Sequence, residues 1–365
     1  MLKATTLAVM FAVTSSAVAA DLHVYIGTYT RGDSKGIYLL SFDTESGALK
    51  KVGVAAESTD PSFLAMHPNG KFVYAANETD SGELSAFKID KKTGTLEFIN
   101  EVPSGGAHPC HLVVDSTGKN LLTANYSGGN VSVTKIKADG SLGKQSSLIQ
   151  HAGSSVTERQ KAPHAHSINL DVANKFAIAA DLGTDELLVY EFSSETGTLK
   201  QTAATKLAPG SGPRHFAFHP DGKHAYAINE LLSTVSVLEY DSGKGELKEI
   251  QTITTLPRDF TEKSFTAEVR VSADGKFVYG SNRGHDSIAV FRVNPDHTLT
   301  LVQIEKMGGK SPRNFNLDPT GKFLLAAGQG TNDIHVFAID PKLGKLTKTD
   351  HSIEIPNPVC IRFAK

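Results

Sequence analysis

Several residue types are scarce in this 365-residue chain, and their scarcity excludes whole classes of protein. It has no tryptophan and two cysteines, Cys110 and Cys360, too few for a disulfide framework, so we interpret both as small buried side chains. Basic and acidic residues nearly balance at 37 and 39, without a basic run, which argues against a nucleic-acid partner. Beyond residue 20 no apolar run reaches the roughly 18 residues of a membrane-spanning helix, so we expect no membrane association.

The first twenty residues have the pattern of an export signal. They carry one basic residue, Lys3, and no acidic residue, and an apolar stretch over Leu7–Val13 is followed by the small residues Ala17–Ala20. This layout is typical of a secretory signal peptide. A buried N-terminal helix is the weaker interpretation, because an alternating strand pattern begins directly afterwards. We therefore expect residues 1–20 to be removed and residues 21–365 to form a single domain in the periplasm or outside the cell.

What the chain does have is an internal repeat. Pro61–Asn77 and Pro213–Asn229 are nearly the same sequence, and four further copies run over Pro109–Asn125, His164–Asp181, Thr266–Asn282 and Pro312–Gly328. One turn residue recurs in each copy at intervals of 46 to 56 residues: Gly70, Gly118, Asn174, Gly222, Gly275 and Gly321. Repeats of this period are typical of solenoids, propellers and arrays. Hydrophobic residues alternate with a period of two inside each copy, which predicts strands.

A third and a fourth predicted strand follow each copy, and four strands per repeat is the pattern of a β-propeller blade. A seventh repeat is divided between the ends of the chain. Val24–Leu49 supplies its later strands and Pro358–Phe363 its first strand, which closes the ring and removes free sheet edges. The sequence therefore predicts an all-β fold, a seven-bladed β-propeller of four-stranded antiparallel blades whose last blade is shared between the two termini.

Blade geometry predicts which residues meet at one mouth of the central channel. The first strand of a blade begins at this mouth and the second strand returns to it, so residues eight before and eight after the turn residue lie close together. The residues eight before the turn residue are Ser62, Cys110, His166, Arg214, Ala267 and Arg313. The residues eight after it are Glu78, Tyr126, Leu182, Glu230, Arg283 and Gln329. A nearly constant Asn or Asp stands beside the second set, and we interpret it as a structural cap of the turn.

Four of these residues form a plausible catalytic group: His166, Arg214, Glu230 and Arg283, contributed by successive blades. Opening a lactone requires a base that takes a proton from water and positive charge near the developing oxyanion. Glu230 or His166 can be the base. Arg214 and Arg283 can bind a phosphate or carboxylate and offset the oxyanion charge.

Four segments also resemble the signatures of a known family, the propeller lactonases, which include propeller-type 6-phosphogluconolactonases and 3-carboxymuconate lactonizing enzymes. They are Pro163–Ser167, Gly212–Phe216, Ile228–Glu230 and Ser281–Gly284. The resemblance covers essentially the whole chain after residue 20. It implies a lactonase acting on an anionic sugar lactone, with His166, Glu230, Arg214 and Arg283 as catalytic residues. Secondary substrate-binding candidates are His111, His164, His215 and Arg313.

Two other functions remain open at this stage. A muconate-type cycloisomerase would use the same arginines to bind carboxylates, and a non-enzymatic periplasmic propeller would bind a partner without reaction.

The chain contains no motif of a cofactor or metal site, so we expect neither a cofactor nor a metal. We expect a monomer whose partner is a small anionic lactone or carboxylate. Gly32–Gly36 matches G-x-S-x-G, but it lies between two predicted strands with no following helix, and we attribute the match to chance.

Overall fold

A computed structural model of the protein describes residues 21–364, which form seven four-stranded antiparallel sheets. The predicted all-β, seven-bladed propeller is therefore confirmed. The predicted signal peptide, residues 1–20, lies outside the described residues. Within the described range there is no helix with the length and apolar character needed to cross a membrane.

Six of the seven blades consist of four strands that are consecutive in the chain. The first blade differs, because its innermost strand comes from the C-terminus. Blade 1 combines β28 (Pro358–Phe363), β1 (Leu22–Thr28), β2 (Gly36–Phe42) and β3 (Leu49–Glu57). Blade 2 contains β4 (Pro61–Met66), β5 (Phe72–Asn77), β6 (Glu83–Ile89) and β7 (Leu96–Pro103). Blade 3 contains β8 (Pro109–Val114), β9 (Asn120–Asn125), β10 (Asn130–Ile136) and β11 (Leu142–Gln150).

The remaining blades repeat this arrangement. Blade 4 contains β12 (Ala165–Leu170), β13 (Phe176–Asp181), β14 (Glu186–Ser193) and β15 (Thr198–Lys206). Blade 5 contains β16 (Pro213–Phe218), β17 (His224–Asn229), β18 (Thr234–Asp241) and β19 (Glu246–Thr254). Blade 6 contains β20 (Phe265–Val271), β21 (Phe277–Arg283), β22 (Ser287–Val293) and β23 (Leu299–Lys306). Blade 7 contains β24 (Pro312–Leu317), β25 (Phe323–Gly328), β26 (Asp333–Ile339) and β27 (Leu346–Glu354). A short 3₁₀ turn, Glu158–Gln160, precedes blade 4.

The hydrophobic core lies between the faces of neighbouring blades. In β5, the second strand of blade 2, every residue is buried, because neighbouring blades cover both of its faces. The outermost strand is more exposed: in β7 only Leu96 is buried and the other residues are partly or fully exposed, as expected for a strand with one face in solvent. Large side chains fill the gaps: the Phe42 ring of blade 1 contacts Phe323 of blade 7 edge to face at 5.8 Å. Burying a Phe side chain contributes roughly 1.5–3 kcal/mol, so each interface between blades stabilises the ring.

The ring is closed as the sequence predicted. β28 pairs with β1, with Val24 opposite Phe363 and Tyr25 opposite Arg362. The innermost strands contact one another around the whole channel, and β28 lies between β24 and β4. The divided blade is slightly larger than predicted, because its last strand, β3, continues to Glu57.

Histidine turns connect neighbouring blades at the end of the channel opposite the predicted mouth, which we call the far face. The His67 Nε2 atom lies 3.0 Å from the Gly118 carbonyl of the next blade, and His219 Nε2 lies 2.9 Å from the Gly275 carbonyl. Since a carbonyl only accepts hydrogen bonds, both rings carry their proton on Nε2. These contacts give the repeated His-Pro turn a structural role, because each one joins a blade to the next.

Candidate active site

The mouth is built where first strands begin and second strands end. In blade 5, Pro213 at the start of β16 pairs with Asn229 at the end of β17, so the next residues, Arg214 and Glu230, emerge at the same end of the sheet. The Asn229 side chain donates hydrogen bonds to Thr234 and Ser236. The nearly constant Asn therefore stabilises the loop, as predicted, and its neighbour in sequence is free to vary from blade to blade.

Glu230 is the centre of a buried ion-pair cluster. Its Oε2 atom lies 3.0 Å from Arg214 Nε and 2.9 Å from Arg283 Nη2, and its Oε1 atom accepts a hydrogen bond of 2.7 Å from Arg159 Nη1. Glu230 is 3% exposed and Arg214 is 2% exposed. Both carboxylate oxygens are thus occupied by guanidinium groups in a site that excludes most water.

The charge of Glu230 is fixed by these neighbours. Burial by itself raises the pKa of a carboxyl group, but the positive charges of Arg283, Arg214 and Arg159 hold the pKa of Glu230 well below its usual range. Glu230 is therefore an anion at neutral pH. With a depressed pKa and both oxygens engaged, it is poorly suited to accept a proton from water.

A narrow recess opens beside this cluster. Four of the predicted site residues line it, His166, Arg214, His215 and Arg313, together with Ser62, Phe63, Glu78, Cys110 and Val359. Its free volume of about 10 Å³ is close to that of one water molecule. A sugar ring is larger than this space, so the recess, which His166 and Arg214 help to line, accepts only a small group such as one water molecule.

His166 enters the recess as a neutral imidazole. Burial, followed by the charge of Arg214 and the neighbouring His215, lowers the pKa of His166 well below its ordinary value. Its Nδ1 atom lies 3.6 Å from the thiol of Cys110. Within the described residues the ring makes no other hydrogen bond, so Nε2 is available to a ligand.

His215 supports the floor of the recess. Its Nε2 atom lies 3.2 Å from Arg214 Nη1, and its Nδ1 atom lies 3.1 Å from Glu268 Oε1. Burial and the charges of Arg214 and Arg270 lower the pKa of His215 well below its ordinary value. His215 therefore links the mouth to a second charged group deeper in the channel.

Arg313 lies on blade 7, next to blade 6, which carries Arg283. It donates a hydrogen bond of 3.0 Å to the hydroxyl of Tyr29, which in turn donates to Glu78 Oε2 at 2.9 Å. This chain joins blades 7, 1 and 2 around the rim. Arg313 also stacks on the Tyr29 ring at 5.5 Å, which fixes the position of its guanidinium.

Two predicted residues, His111 and His164, belong neither to the lining of the recess nor to the ion-pair cluster of Glu230. The His111 ring packs against Phe63, with ring centroids 4.3 Å apart, and lies deeper in the channel beside His215. The His164 ring is stacked on Tyr126 at the rim, and its Nδ1 atom donates to the Tyr126 carbonyl at 3.0 Å. His111 is thus a support for the floor, and His164 shapes the edge of the mouth.

Two further charged residues, Arg159 and Glu78, lie at the mouth and were not among the site residues predicted from the sequence. Arg159 lies on the 3₁₀ turn before blade 4 and reaches across to Glu230 and to the Tyr126 hydroxyl. The longest interval of the repeat, between Gly118 and Asn174, was the only sequence signal of this insertion. Glu78, by contrast, occupies the same repeat position as Glu230 and was available to the same reasoning.

Comparison with known proteins decides the family. The family model described as lactonase, 7-bladed beta-propeller, matches residues 23–363. The chain belongs to the propeller lactonase family. A 6-phosphogluconolactonase of Bacillus subtilis is 40% identical over 93% of this chain and 97% of its own length, and one of Formosa agariphila is 34% identical over 91% and 96%. The solved structure of a periplasmic gluconolactonase from Pseudomonas aeruginosa superposes with a TM-score of 0.90 at 33% identity, covering 95% of this chain and 99% of that one.

The fold, the family and these relatives together make this propeller lactonase an enzyme that hydrolyses lactones. The predicted resemblance and the predicted lactonase activity are therefore confirmed. Of the alternatives left open by the sequence, the non-enzymatic propeller is not supported, and the relatives are named for hydrolysis rather than for lactone formation.

Proposed function

We propose that this lactonase opens an anionic six-carbon sugar lactone of the 6-phosphogluconolactone type at the mouth of its channel. The observation that carries the proposal is the charge of the mouth. Four arginines meet two glutamates there, which leaves two net positive charges: Arg159, Arg214, Arg283 and Arg313 against Glu78 and Glu230. A phosphorylated lactone carries charge of the opposite sign, and guanidinium groups bind phosphate in a fork.

His166 is the proposed general base. Its neutral imidazole faces a space the size of one water molecule, while the alternative base, Glu230, is engaged by three arginines. In the proposed reaction the water oxygen attacks the lactone carbonyl carbon as His166 takes its proton. The ring C–O bond then breaks, and the imidazolium returns the proton to the leaving alkoxide.

Arg214 is the proposed partner of the oxyanion. Its Nε and Nη1 atoms contact Glu230, the Ala267 carbonyl and His215, which hold the guanidinium in place. Its Nη2 atom has no hydrogen bond within residues 21–364 and lies on a side chain that lines the recess. A cation held rigidly in this way stabilises developing negative charge without reorganisation. Arg283 and Arg159, outside the recess, and Arg313, which lines it, are the proposed contacts of the substrate phosphate.

An unphosphorylated gluconolactone is the second candidate substrate. Two observations favour it: the signal-peptide pattern of residues 1–20 and the 33% identity to the periplasmic gluconolactonase of Pseudomonas aeruginosa. Sugar phosphates are made in the cytosol, so an exported enzyme would meet neutral aldonolactones instead. Under this proposal residues 21–365 form one exported domain, which we propose to be monomeric.

The two substrates are distinguished by a single assay. Tag-free protein that begins at Asp21 is supplied with 6-phosphogluconolactone and with gluconolactone, and acid release is followed at constant pH. We expect kcat/KM to be higher for the phosphorylated lactone, because it uses the positive charge of the mouth. An equal or higher value for gluconolactone would reject the first candidate and support the second.

Two further measurements complete the assignment. Cell fractionation followed by N-terminal sequencing tests export, and recovery of Met1 from the cytosol would rule out removal of residues 1–20. A muconate-type diacid is tested in the same preparation. Loss of its ultraviolet absorbance, without hydrolysis of either sugar lactone, would replace hydrolysis with cyclisation.

A further inference from the structure

The far face, opposite the mouth, contains one interface at which the repeat is broken. In six blades the hairpin between the third and fourth strands has a glycine two residues before a leucine: Gly47, Gly94, Gly140, Gly197, Gly245 and Gly344. These glycines have φ between 68° and 86°, in the left-handed region. In blade 6 the same position is His297, with φ 63°. A side chain in this conformation costs conformational energy, so a histidine here requires a compensating contact.

The residue beneath this position is altered as well. Four of the six glycines lie against a phenylalanine of the preceding blade, at the start of its second strand: Phe323 under Gly47, Phe72 under Gly140, Phe176 under Gly245 and Phe277 under Gly344. At the interface of blades 5 and 6 that residue is His224. Its ring stacks on His297 with centroids 3.6 Å apart and an interplanar angle of 9°. Both partners of the usual glycine–phenylalanine contact are thus histidines.

A third histidine and a carboxylate complete the cluster. His219 and Asp221 belong to the His-Pro turn of blade 5, and Asp221 stands where the first copy has Asn69. His224 Nδ1 lies 2.8 Å from Asp221 Oδ2, His219 Nδ1 lies 3.0 Å from Asp221 Oδ1, and His297 Nδ1 lies 3.5 Å from Asp221 Oδ2. The ligand atoms of His219, Asp221 and His297 all lie within 4.8 Å of one another.

The hydrogen bonds leave lone pairs pointing at one another. His219 donates its Nε2 proton to the Gly275 carbonyl, so its neutral ring presents a lone pair on Nδ1 to the Asp221 carboxylate. The Asp221 N–H, at 3.1 Å, is the one donor directed at this nitrogen within residues 21–364. His297 Nδ1 is buried and has no hydrogen-bond partner in the same range. The Nδ1 atoms of His219 and His297 and the Asp221 carboxylate thus form one group of atoms that can bind a shared cation.

We propose that His219 Nδ1, the Asp221 carboxylate and His297 Nδ1 bind a divalent first-row transition-metal ion such as Zn²⁺. Imidazole nitrogen and carboxylate oxygen are the ligands that Zn²⁺ accepts at about 2.0–2.2 Å. Metal-binding histidines commonly donate their second N–H to a backbone carbonyl, as His219 does to Gly275. His224 donates to Asp221 and orients it in the same manner.

The proposed ion joins two blades of the ring. His219 and Asp221 follow β16, and His297 lies between β22 and β23, so the ligands come from blades 5 and 6. The site is separated from the mouth by the length of β16, which at about 3.3 Å per residue places the ion on the order of 20 Å from Arg214. We therefore assign it a structural role in holding the ring, independent of the lactonase reaction.

Zinc titration of tag-free protein tests the site. The protein is stripped with chelator, and Zn²⁺ binding is measured by calorimetry and by the rise in Tm. We expect one ion per chain to bind with a Kd below about 100 µM and to raise Tm, because a ligand that binds the folded state stabilises it. Absence of saturable binding in this range, or an unchanged Tm, would overturn the proposal and leave a proton as the shared cation.

His297→Gly and Asp221→Asn locate the ion. His297→Gly restores the residue of the other six blades, so the metal-free variant should fold with a Tm equal to or above that of the parent. Asp221→Asn restores the residue of the first copy. Each variant should weaken Zn²⁺ binding at least tenfold. His23→Phe is the matched control, since His23 lies under Gly94 without other histidines, and it should bind as the parent does. Parental affinity in both ligand variants would overturn the proposal.

Discussion

The two ends of one hairpin illustrate how this propeller separates structure from chemistry. At the mouth, the β16–β17 hairpin presents Arg214 and Glu230, and the equivalent positions of other blades carry Ser62, Cys110, Tyr126 or Leu182. At the far face, the same hairpin turns through a His-Pro sequence that also occurs in blade 2, with the same hydrogen bond to the next blade. The constant end stabilises the ring, whereas the variable end assembles a different side chain from each blade into one site.

Replacement of His166 should have the largest effect on kcat, because it removes the proposed base. His166→Asn keeps a polar side chain but removes the proposed base, so kcat should fall by roughly 10²–10⁴-fold. The far-face variant His224→Phe, which installs the residue of four other blades, should retain parental kcat. Both are measured with the lactone that the parent hydrolyses. A kcat for His166→Asn within twofold of the parent would show that another group accepts the proton.

Removal of a buried charge should affect stability far more for Glu230 than for Glu78. Glu230→Gln leaves three arginines without their counter-ion, and breaking a buried pair costs about 3–5 kcal/mol of unfolding free energy. Glu78→Gln loses one hydrogen bond from Tyr29 and should cost about 1 kcal/mol. Urea unfolding of both variants measures the difference. Equal losses would mean that the arginine cluster does not depend on the Glu230 charge.

The variant Arg283→Ala tests whether this arginine binds the phosphate of the substrate. In Arg283→Ala one charge-assisted contact is lost, worth about 1.5–3 kcal/mol, so KM for 6-phosphogluconolactone should rise by about 10–100-fold. Gluconolactone has no phosphate and should show a smaller rise in the same variant, which makes it an internal control. A parallel fall of kcat for both lactones would instead place Arg283 at the oxyanion.

The dependence of kcat/KM on pH tests whether His166 is the base. Because burial and Arg214 lower the pKa of His166, its neutral, basic form persists below pH 6.5. The acidic limb of kcat/KM should therefore lie below pH 6.5, and His164→Asn at the rim should leave its position unchanged. An acidic limb at or above pH 6.5 would contradict a buried His166 as the base.

The same shifts predict a dependence of stability on pH. The pKa values of His111, His166 and His215 are all lowered by burial, so the unfolded chain binds protons near pH 6.5 that the folded chain does not. Stability should therefore decrease as pH falls below 6.5, by up to about 1.4 kcal/mol per pH unit for each histidine. Urea unfolding between pH 7.5 and 5.5 measures this slope, and a stability that rises on acidification would contradict it.

The architecture of this protein could be predicted from its amino-acid sequence. Three features of the sequence predicted seven blades and the closing pair β28–β1. They are the copies of Pro61–Asn77 along the chain, the hydrophobic period of two within each copy, and the matching fragments at both ends. Counting from the turn residue was also enough to place His166, Arg214, Glu230 and Arg283 at one mouth, because the length of a strand converts a residue count directly into a position.

Tertiary structure alone decided the contacts and protonation states. Sequence left Glu230 and His166 as equal candidates for the base, and our proposal of His166 rests on the three guanidinium groups around the Glu230 carboxylate, which no linear count reveals. Arg159 reaches the mouth on an irregular turn whose path follows no repeat, and His219, Asp221 and His297 meet only because blades 5 and 6 pack side by side. Periodic backbone geometry can be read from periodic sequence, whereas side-chain distances across blade interfaces depend on how the ring packs in three dimensions.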